Sequence, residues 1–177
     1  MFTVWSGIHA HFAHHVRGHA GPCISLHGHT WKLEVKLASR ELDEQGFVVD
    51  FDLLHEHVLV PCFDLLDHAL AIGEKTWVET RPELERLGVV LVGSRREITG
   101  DLGTCPKGHA GELGGARNEY PGGIKVAVFP FTPTSERLAE WLYAVTHARL
   151  ASDRVSVRAA RIYESLHPAE AVAEYAP

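Results

Sequence analysis

Residues 23–37 read Cys-Ile-Ser-Leu-His-Gly-His-Thr-Trp-Lys-Leu-Glu-Val-Lys-Leu. From Thr30 onward, apolar residues recur at every second position, which predicts a half-buried strand over about residues 29 to 38. His27 and His29 stand at the start of this strand, where a period of two directs both imidazoles to one face, with Cα atoms about 7 Å apart. Two imidazoles on a rigid strand are a partial zinc site, which a third histidine would complete. A chance pair on a solvated strand is the competing interpretation.

Histidines are concentrated near the N-terminus: the chain has 13, and many precede the second strand. A first strand predicted over residues 2 to 14, followed by a loop over 15 to 26, would pair with the second strand as an antiparallel ribbon. This ribbon would bring an upstream histidine beside the His-x-His pair, although the spacing alone does not choose among the candidates. These candidates are His11, His14 and His15.

Length and composition restrict the class of protein. A chain of 177 residues with 45% hydrophobic and 23% charged residues fits a single globular domain, 1–177. The net charge of -6 and the lack of a basic stripe argue against a nucleic-acid partner. Three widely spaced cysteines do not form a disulfide framework, and no apolar run reaches membrane-spanning length. We therefore expect a cytoplasmic protein without a membrane partner.

The rest of the chain predicts strands followed by segregated helices, which is typical of an α+β sheet with helices on one face. Asp52 is the expected cap of the first helix, and Pro82 the expected N1 residue of the second. Residues 93 to 123, rich in glycine, predict a long loop. The further predicted strands are 46–51, 88–92, 124–131 and 155–164, and the predicted helices are about 53–66, 82–87 and 135–150.

A second candidate group comprises Cys23, Asp67 and His68. A cysteine close to a dication and an imidazole is suited to act as a base or a nucleophile. An aspartate beside a histidine can orient the imidazole or tune its proton affinity. A buried inert thiol and a solvated helix end are the competing interpretations.

Glu164 ends the last predicted strand. A carboxylate in a cleft can accept paired hydrogen bonds from a 2-amino-pyrimidinone, much as it does from a guanidinium. A surface position is the competing interpretation. Thr132 or Thr134 would add a hydroxyl, although each also suits a helix-capping role.

These segments occur in a characteristic order along the chain. They are Ala13-His14, Cys23-x-x-x-His27-Gly28-His29, Gly46-x-x-x-Asp50-Phe51, Leu66-Asp67-His68, Pro133-Thr134-Ser135-Glu136-x-Leu138-Ala139 and Glu164-Ser165. The pattern resembles the 6-pyruvoyl-tetrahydropterin synthase superfamily, and within it the 6-carboxy-5,6,7,8-tetrahydropterin synthase branch. Three residues between the cysteine and His-Gly-His resemble the carboxy branch, because the pyruvoyl branch has a longer gap.

The resemblance implies a role for each matching residue. His14, His27 and His29 would bind a catalytic Zn²⁺. Cys23 would be the general base, with Asp67 and His68 as relay and acid. Glu164 would anchor the pterin ring, with Thr134 beside it.

The resemblance also implies the tunnelling fold, a four-stranded antiparallel sheet with two helices on one face. Copies would assemble into a barrel-forming trimer or a hexamer with active sites between subunits. The substrate would be 7,8-dihydroneopterin triphosphate, which a lyase of 7-deazapurine (queuosine-type) synthesis converts to a 6-carboxytetrahydropterin with loss of triphosphate and acetaldehyde. A pyruvoyl-type lyase and a non-catalytic pterin- or metal-binding homologue are the alternatives.

The chain departs from the family pattern in places. Ala10 stands where the family commonly has Phe, and an insertion at about 72–123 has no counterpart in the pattern. Within the insertion, Lys107 or Arg117 would serve a lid over the triphosphate, with a surface loop as the competing interpretation. Cys105 and His109 have no assigned role.

Overall fold

The computed structural model describes residues 1–86, 91–92, 124–165 and 168–177. A π-helical turn joins the first two helices, and a 3-10 turn precedes the second strand. The strands are β1 (Phe2–His14), β2 (His27–Ser39), β3 (Ala69–Gly73), β4 (Leu91–Val92), β5 (Ile124–Phe129), β6 (Ser156–Ser165) and β7 (Ala171–Tyr175). The helices are α1 (Phe51–Leu54), α2 (Val60–Leu66), α3 (Glu74–Arg86) and α4 (Ser135–Leu150), with the π-helical turn at His55–Leu59 and the 3-10 turn at Pro22–Ile24.

The sheet is larger than the sequence predicts. Neighbouring strands follow the order β4-β5-β3-β1-β2-β6-β7, so the described part of the chain contains seven strands rather than four. β2 with β6 and β6 with β7 pair antiparallel, whereas β1 with β3, β3 with β5 and β4 with β5 pair parallel. The α+β class is confirmed, and the four-stranded antiparallel sheet is wrong. The reason is that β3 and β5 join in parallel, which requires a crossover, and α3 lies in that connection.

The chain divides into two compact units, the first comprising Met1–Ala10, Thr30–Phe63 and Thr134–Pro177. In this unit, β2 alternates as predicted, with Trp31, Leu33 and Val35 fully buried. Helix α4 packs on β6 and β7 and buries Trp141 and other apolar residues. Burial of such side chains contributes about 1.5–3 kcal/mol each, which holds α4 to the sheet.

The second unit comprises His11–His29 and Asp64–Pro133. Its described core consists of apolar residues from β3, α3 and β5, and α3 packs on both strands. Arg17 forms two hydrogen bonds with Glu79 of α3, at 2.6 and 2.8 Å, which tie the end of β1 to this helix. The core residues are Ile72, Trp77, Val126 and Val128, with Leu70 packed against them.

Several elements differ from the prediction. No strand forms over 46–51, because Asp43 Oδ1 accepts hydrogen bonds from the backbone N–H of Gln45 and of Phe47 and closes a turn there. Asp50, rather than Asp52, caps α1 through the N–H of Asp52.

Pro82 lies inside α3 and not at its start, since Glu74 begins the helix eight residues earlier. The edge strand β7 was not predicted at all, whereas β1, β2, α4 and β6 lie where expected. Of the predicted strand 88–92 only Leu91–Val92 is described. Residues 93–123, with Lys107, Arg117, Cys105 and His109, lie outside the described residues.

Candidate metal centre and active site

Three histidines converge where β1 ends and β2 begins. His14 is the last residue of β1, and His27 and His29 open β2. Their ring centroids are 4.6 Å apart for His14 and His27, 4.9 Å for His27 and His29, and 5.6 Å for His14 and His29. One ring nitrogen from each lies within 4.8 Å of the others, which is close enough for all three to bind one metal ion.

Backbone carbonyls orient two of these rings. Nδ1 of His14 donates to the carbonyl oxygen of Pro133 at 2.9 Å, and Nδ1 of His27 donates to that of Ser25 at 2.8 Å. A carbonyl oxygen can only accept, so Nδ1 carries the proton in both rings and Nε2 keeps the lone pair. Metal-binding histidines are oriented in this way by a second hydrogen bond. The donor set therefore fits a zinc ion.

The alternative upstream histidines lie in different surroundings. His11 is exposed, whereas His14 is fully buried, because an odd spacing along β1 turns the two side chains to opposite faces. Partial burial lowers the pKa of His15, and the neighbouring His14 and Arg17 lower it further. The structure therefore groups His14, and neither alternative, with the His-x-His pair.

Cys23 lies in the 3-10 turn between β1 and β2. Its carbonyl oxygen accepts a hydrogen bond from the N–H of Val16 at 2.7 Å, which fixes the turn against the end of β1. The thiol is free and partly exposed. Cys62 is the other free cysteine among the described residues; it is fully buried, and burial raises its pKa to about 12. Of these two, Cys23 is the one that a substrate can reach.

Asp67 and His68 form a tight turn between α2 and β3. Asp67 Oδ1 accepts from the N–H of His11 at 2.9 Å, and the N–H of His68 donates to the carbonyl of His11 at 2.7 Å. His68 has a φ of 57°, which is uncommon for a residue with a side chain, and its side chain is 85% exposed. Its Nε2 lies 3.5 Å from Asp67 Oδ2, so the carboxylate faces the imidazole.

The Asp67–His68 turn and the histidine cluster lie at different points along β1. The pair is attached at His11, three residues before His14, which corresponds to about 10 Å along a strand. The parallel register of β1 with β3, in which His14 faces Ala71, maintains this separation.

Glu164 and Thr134 belong to the other unit. The Ser135 hydroxyl donates to Glu164 Oε2 at 3.0 Å, so one side of the carboxylate is held by α4. Thr134 is the N-cap of α4, its Oγ1 accepting from the N–H of Arg137 at 3.4 Å. Sequence reasoning did not assign a role to Ser135, although the Pro-Thr-Ser-Glu motif contains it.

The family model of 6-pyruvoyl tetrahydropterin synthase matches residues 4–176. The chain belongs to the 6-pyruvoyl tetrahydropterin synthase family.

Curated relatives point to one branch of this family. The chain is 37% identical over 61 residues to the 6-carboxy-5,6,7,8-tetrahydropterin synthase of Rickettsia bellii, covering 34% of this chain and 44% of the relative. It is 38% identical over 73 residues to that of Haemophilus influenzae, covering 39% and 51%. The chain thus spans about half of the length of the curated relatives that it matches. The predicted family is confirmed, and the matched relatives carry the name of its carboxy branch.

Solved structures share the fold. An uncharacterized protein from Wolinella succinogenes superposes with a TM-score of 0.67 at 22% identity, covering 99% of this chain and 97% of that one. The 6-pyruvoyl tetrahydropterin synthase of Caenorhabditis elegans superposes with a TM-score of 0.56 at 15% identity, covering 99% and 95%. The predicted tunnelling fold is confirmed by these likenesses, while the oligomeric barrel stays a prediction.

Among residues 1–86, 91–92, 124–165 and 168–177, no helix is both long enough and apolar enough to cross a membrane.

Proposed function

We propose that this chain is a zinc-dependent lyase that converts 7,8-dihydroneopterin triphosphate to 6-carboxy-5,6,7,8-tetrahydropterin, releasing triphosphate and acetaldehyde. Such a reaction would supply 7-deazapurine synthesis of the queuosine type. The observation that carries the proposal is the convergence of His14, His27 and His29, two of them held by backbone carbonyls with Nε2 available as the ligand atom. The names of the curated relatives support the carboxy product.

Zinc would be held by these three imidazoles, leaving a fourth position open. When bound, it would supply the Lewis acidity that makes C–H and O–H bonds of the substrate side chain more acidic. The buried position of His14 supports a ligand set that excludes bulk water on one side.

Proton transfer is assigned to the chain's own residues. Cys23 would remove the proton, because its thiol is free and accessible in a turn four residues before His27. Asp67 would orient His68, which would act as the acid, and the 3.5 Å separation between their side chains supports that pairing. Each such transfer contributes about 10²–10⁴-fold to the rate.

Glu164 would bind the pterin ring by accepting paired hydrogen bonds from it, with Thr134 beside it. The hydrogen bond from Ser135 supports this role, since it holds Oε2 in place. A carboxylate fixed in this way matches the donor pair of a 2-amino-pyrimidinone.

A homo-oligomeric trimer or hexamer with shared sites would place His68 of one copy beside the metal of another. The 85% exposure of the His68 side chain supports this arrangement. Mixing inactive His14→Ala and His68→Ala subunits tests it: random exchange in a shared-site oligomer restores about one intact site in four. Mixtures that stay inactive after subunit exchange would mean that each copy is self-sufficient.

Product identification tests the function itself. Purified protein is incubated with 7,8-dihydroneopterin triphosphate with and without a chelator, and products are identified by mass. Acetaldehyde and a 6-carboxy pterin that disappear with chelator are expected. A pyruvoyl pterin would assign the chain to the pyruvoyl chemistry instead.

Binding of the pterin without turnover would make the chain a non-catalytic homologue. Cys23→Ala separates these outcomes, with an expected loss of about 10²-fold or more in turnover. Cys62→Ala is the matched control: it removes the other described thiol, which is buried away from solvent, and should leave turnover unchanged.

A further inference from the structure

The Asp67–His68 turn is held by a residue from a distant part of the chain. Lys125 lies in β5, beyond the segment that the family pattern does not account for. Its Nζ donates to the carbonyl oxygen of Asp64 and to that of Asp67, both at 2.6 Å. One ammonium group therefore bridges the last turn of α2 and the first residue of the relay pair.

These carbonyls lie at the C-terminal end of α2, that of Asp64 in its last turn and that of Asp67 one residue beyond it. The last carbonyls of a helix have no N–H four residues ahead, and they form the negative end of the helix dipole. A lysine side chain that hydrogen-bonds them stabilises the end of the helix in a defined geometry. Lys125 does so for α2 and in the same contact fixes the carbonyl of Asp67.

The conformation of His68 depends on this fixation. With its φ of 57°, His68 lies in the left-handed region, which persists in a residue with a side chain only when its surroundings hold it. His11 holds the turn on one side through two backbone-directed hydrogen bonds. Lys125 holds it on the other, because the parallel register pairs Lys125 with Ala69, the residue that follows His68.

We infer that Lys125 is a positioning residue for the Asp67–His68 pair. It fixes the turn so that the imidazole of His68 keeps the direction that proton transfer requires. Its action passes through His68 alone, without contact to the reacting atoms. The catalytic part of this inference rests on the proposed function, while the structural part does not.

The test uses the full chain and two readouts. Lys125→Met removes the ammonium while keeping the length of the side chain, and Lys125→Arg keeps a cation that can donate to both carbonyls. Lys36→Met is the matched control, because the contact that the described residues give Lys36 is with the Trp5 ring, in the other unit. The first readout is hydrogen exchange at the His68 amide, and the second is kcat and KM with 7,8-dihydroneopterin triphosphate.

In Lys125→Met we expect faster hydrogen exchange of the His68 amide. We also expect kcat to fall by about 10- to 100-fold with little change in KM, since misplacing a catalytic group lowers the rate by such factors. Lys125→Arg should recover most of both, and Lys36→Met should resemble the wild type. In a His68→Ala background, Lys125→Met should lower the residual rate no further, because a residue that acts only through His68 has nothing left to position.

Three results would overturn the inference. These are unchanged exchange of the His68 amide in Lys125→Met, an unchanged kcat in that variant, and losses that multiply in the double variant. An inactive wild-type protein would instead refute the proposed function, and the exchange of the His68 amide would still decide whether Lys125 holds the turn.

Discussion

Replacing Ser135 by alanine removes one hydrogen bond to the Glu164 carboxylate. The Ser135 hydroxyl, in a residue only 9% exposed, donates to Glu164 Oε2 at 3.0 Å. Alanine removes this donor with little change in volume at the first turn of α4. The fold should persist, because the N-cap hydroxyl of Thr134 is retained and alanine is the best helix former.

The expected magnitude follows from the charge of the acceptor. A hydrogen bond to a charged group contributes about 1.5–3 kcal/mol. Glu164 is only half-buried, so water replaces part of the lost donor, and we take the lower end of that range. If re-ordering the released carboxylate on pterin binding costs about 1.5 kcal/mol, the dissociation constant becomes roughly tenfold weaker.

The assay is calorimetric titration of zinc-loaded protein with neopterin. Ser135→Ala should weaken the dissociation constant about tenfold. Ser135→Thr, which keeps the hydroxyl, is the matched control and should bind nearly as the wild type does. Glu164→Ala should weaken binding further, and adding Ser135→Ala to it should change nothing more, because the two residues act as one unit. Wild-type affinity in Glu164→Ala would refute the anchoring role, and wild-type affinity in Ser135→Ala alone would refute the part played by the hydroxyl.

The remaining predictions concern the metal, the close strand packing and pH. His14→Ala should lower zinc affinity by at least about 100-fold, because it removes a proposed ligand and not merely a residue that orients one. Competition with a chelator measures the affinity, and zinc binding equal to the wild type would exclude His14 from the site. Gly7→Ala should destabilise the chain by about 1–3 kcal/mol in urea unfolding, since the added Cβ would lie 2.6 Å from a backbone oxygen of β2. Gly28→Ala is the control and should be nearly neutral, because its Cβ would meet no atom closer than 3.6 Å. Equal effects of the two substitutions on stability would contradict the packing argument. The hydrogen bonds and charge of Arg17 lower the pKa of Glu79 in the folded chain. The ion pair therefore stabilises the fold at any pH above the ordinary glutamate pKa, and this contribution is lost as the pH falls through the lowered pKa. The stability difference between wild type and Glu79→Gln should therefore shrink on acidification from neutral pH, and a difference that grows would contradict this sign.

The histidine cluster was partly predictable because its signal is local. The alternation from Thr30 onward defines the faces of β2, and a period of two is enough to place His27 and His29 side by side. The third histidine was not determined in this way. Which of His11, His14 and His15 turns inward depends on where β1 ends, and only the family pattern selected His14.

The parallel strands β3 and β5 could not be recognised in the sequence by alternating apolar and polar residues. β3 reads Ala-Leu-Ala-Ile-Gly and is largely buried, so it shows no alternation that would separate it from a short buried helix. Its partner β5 lies more than 50 residues away in the sequence, and the pairing of the two depends on tertiary packing. For the same reason, the contact of Lys125 with the Asp67–His68 turn could not be read from the sequence.

Strand β1 carries contacts to both groups of the proposed site, the histidine cluster and the Asp67–His68 turn, and its geometry keeps the two groups apart. His11 and His14 are three residues apart on β1, so one is exposed and the other buried. The buried residue joins the histidine cluster, whereas the backbone of the exposed one holds Asp67 and His68. A rigid strand cannot shorten the resulting distance of about 10 Å, so under the proposed function His68 of one copy would reach a metal held by its own histidines only through a substrate or side chain that spans that distance. The large exposure of His68 is what a residue serving the site of a neighbouring copy would show, and the mixed-subunit experiment decides between these two arrangements.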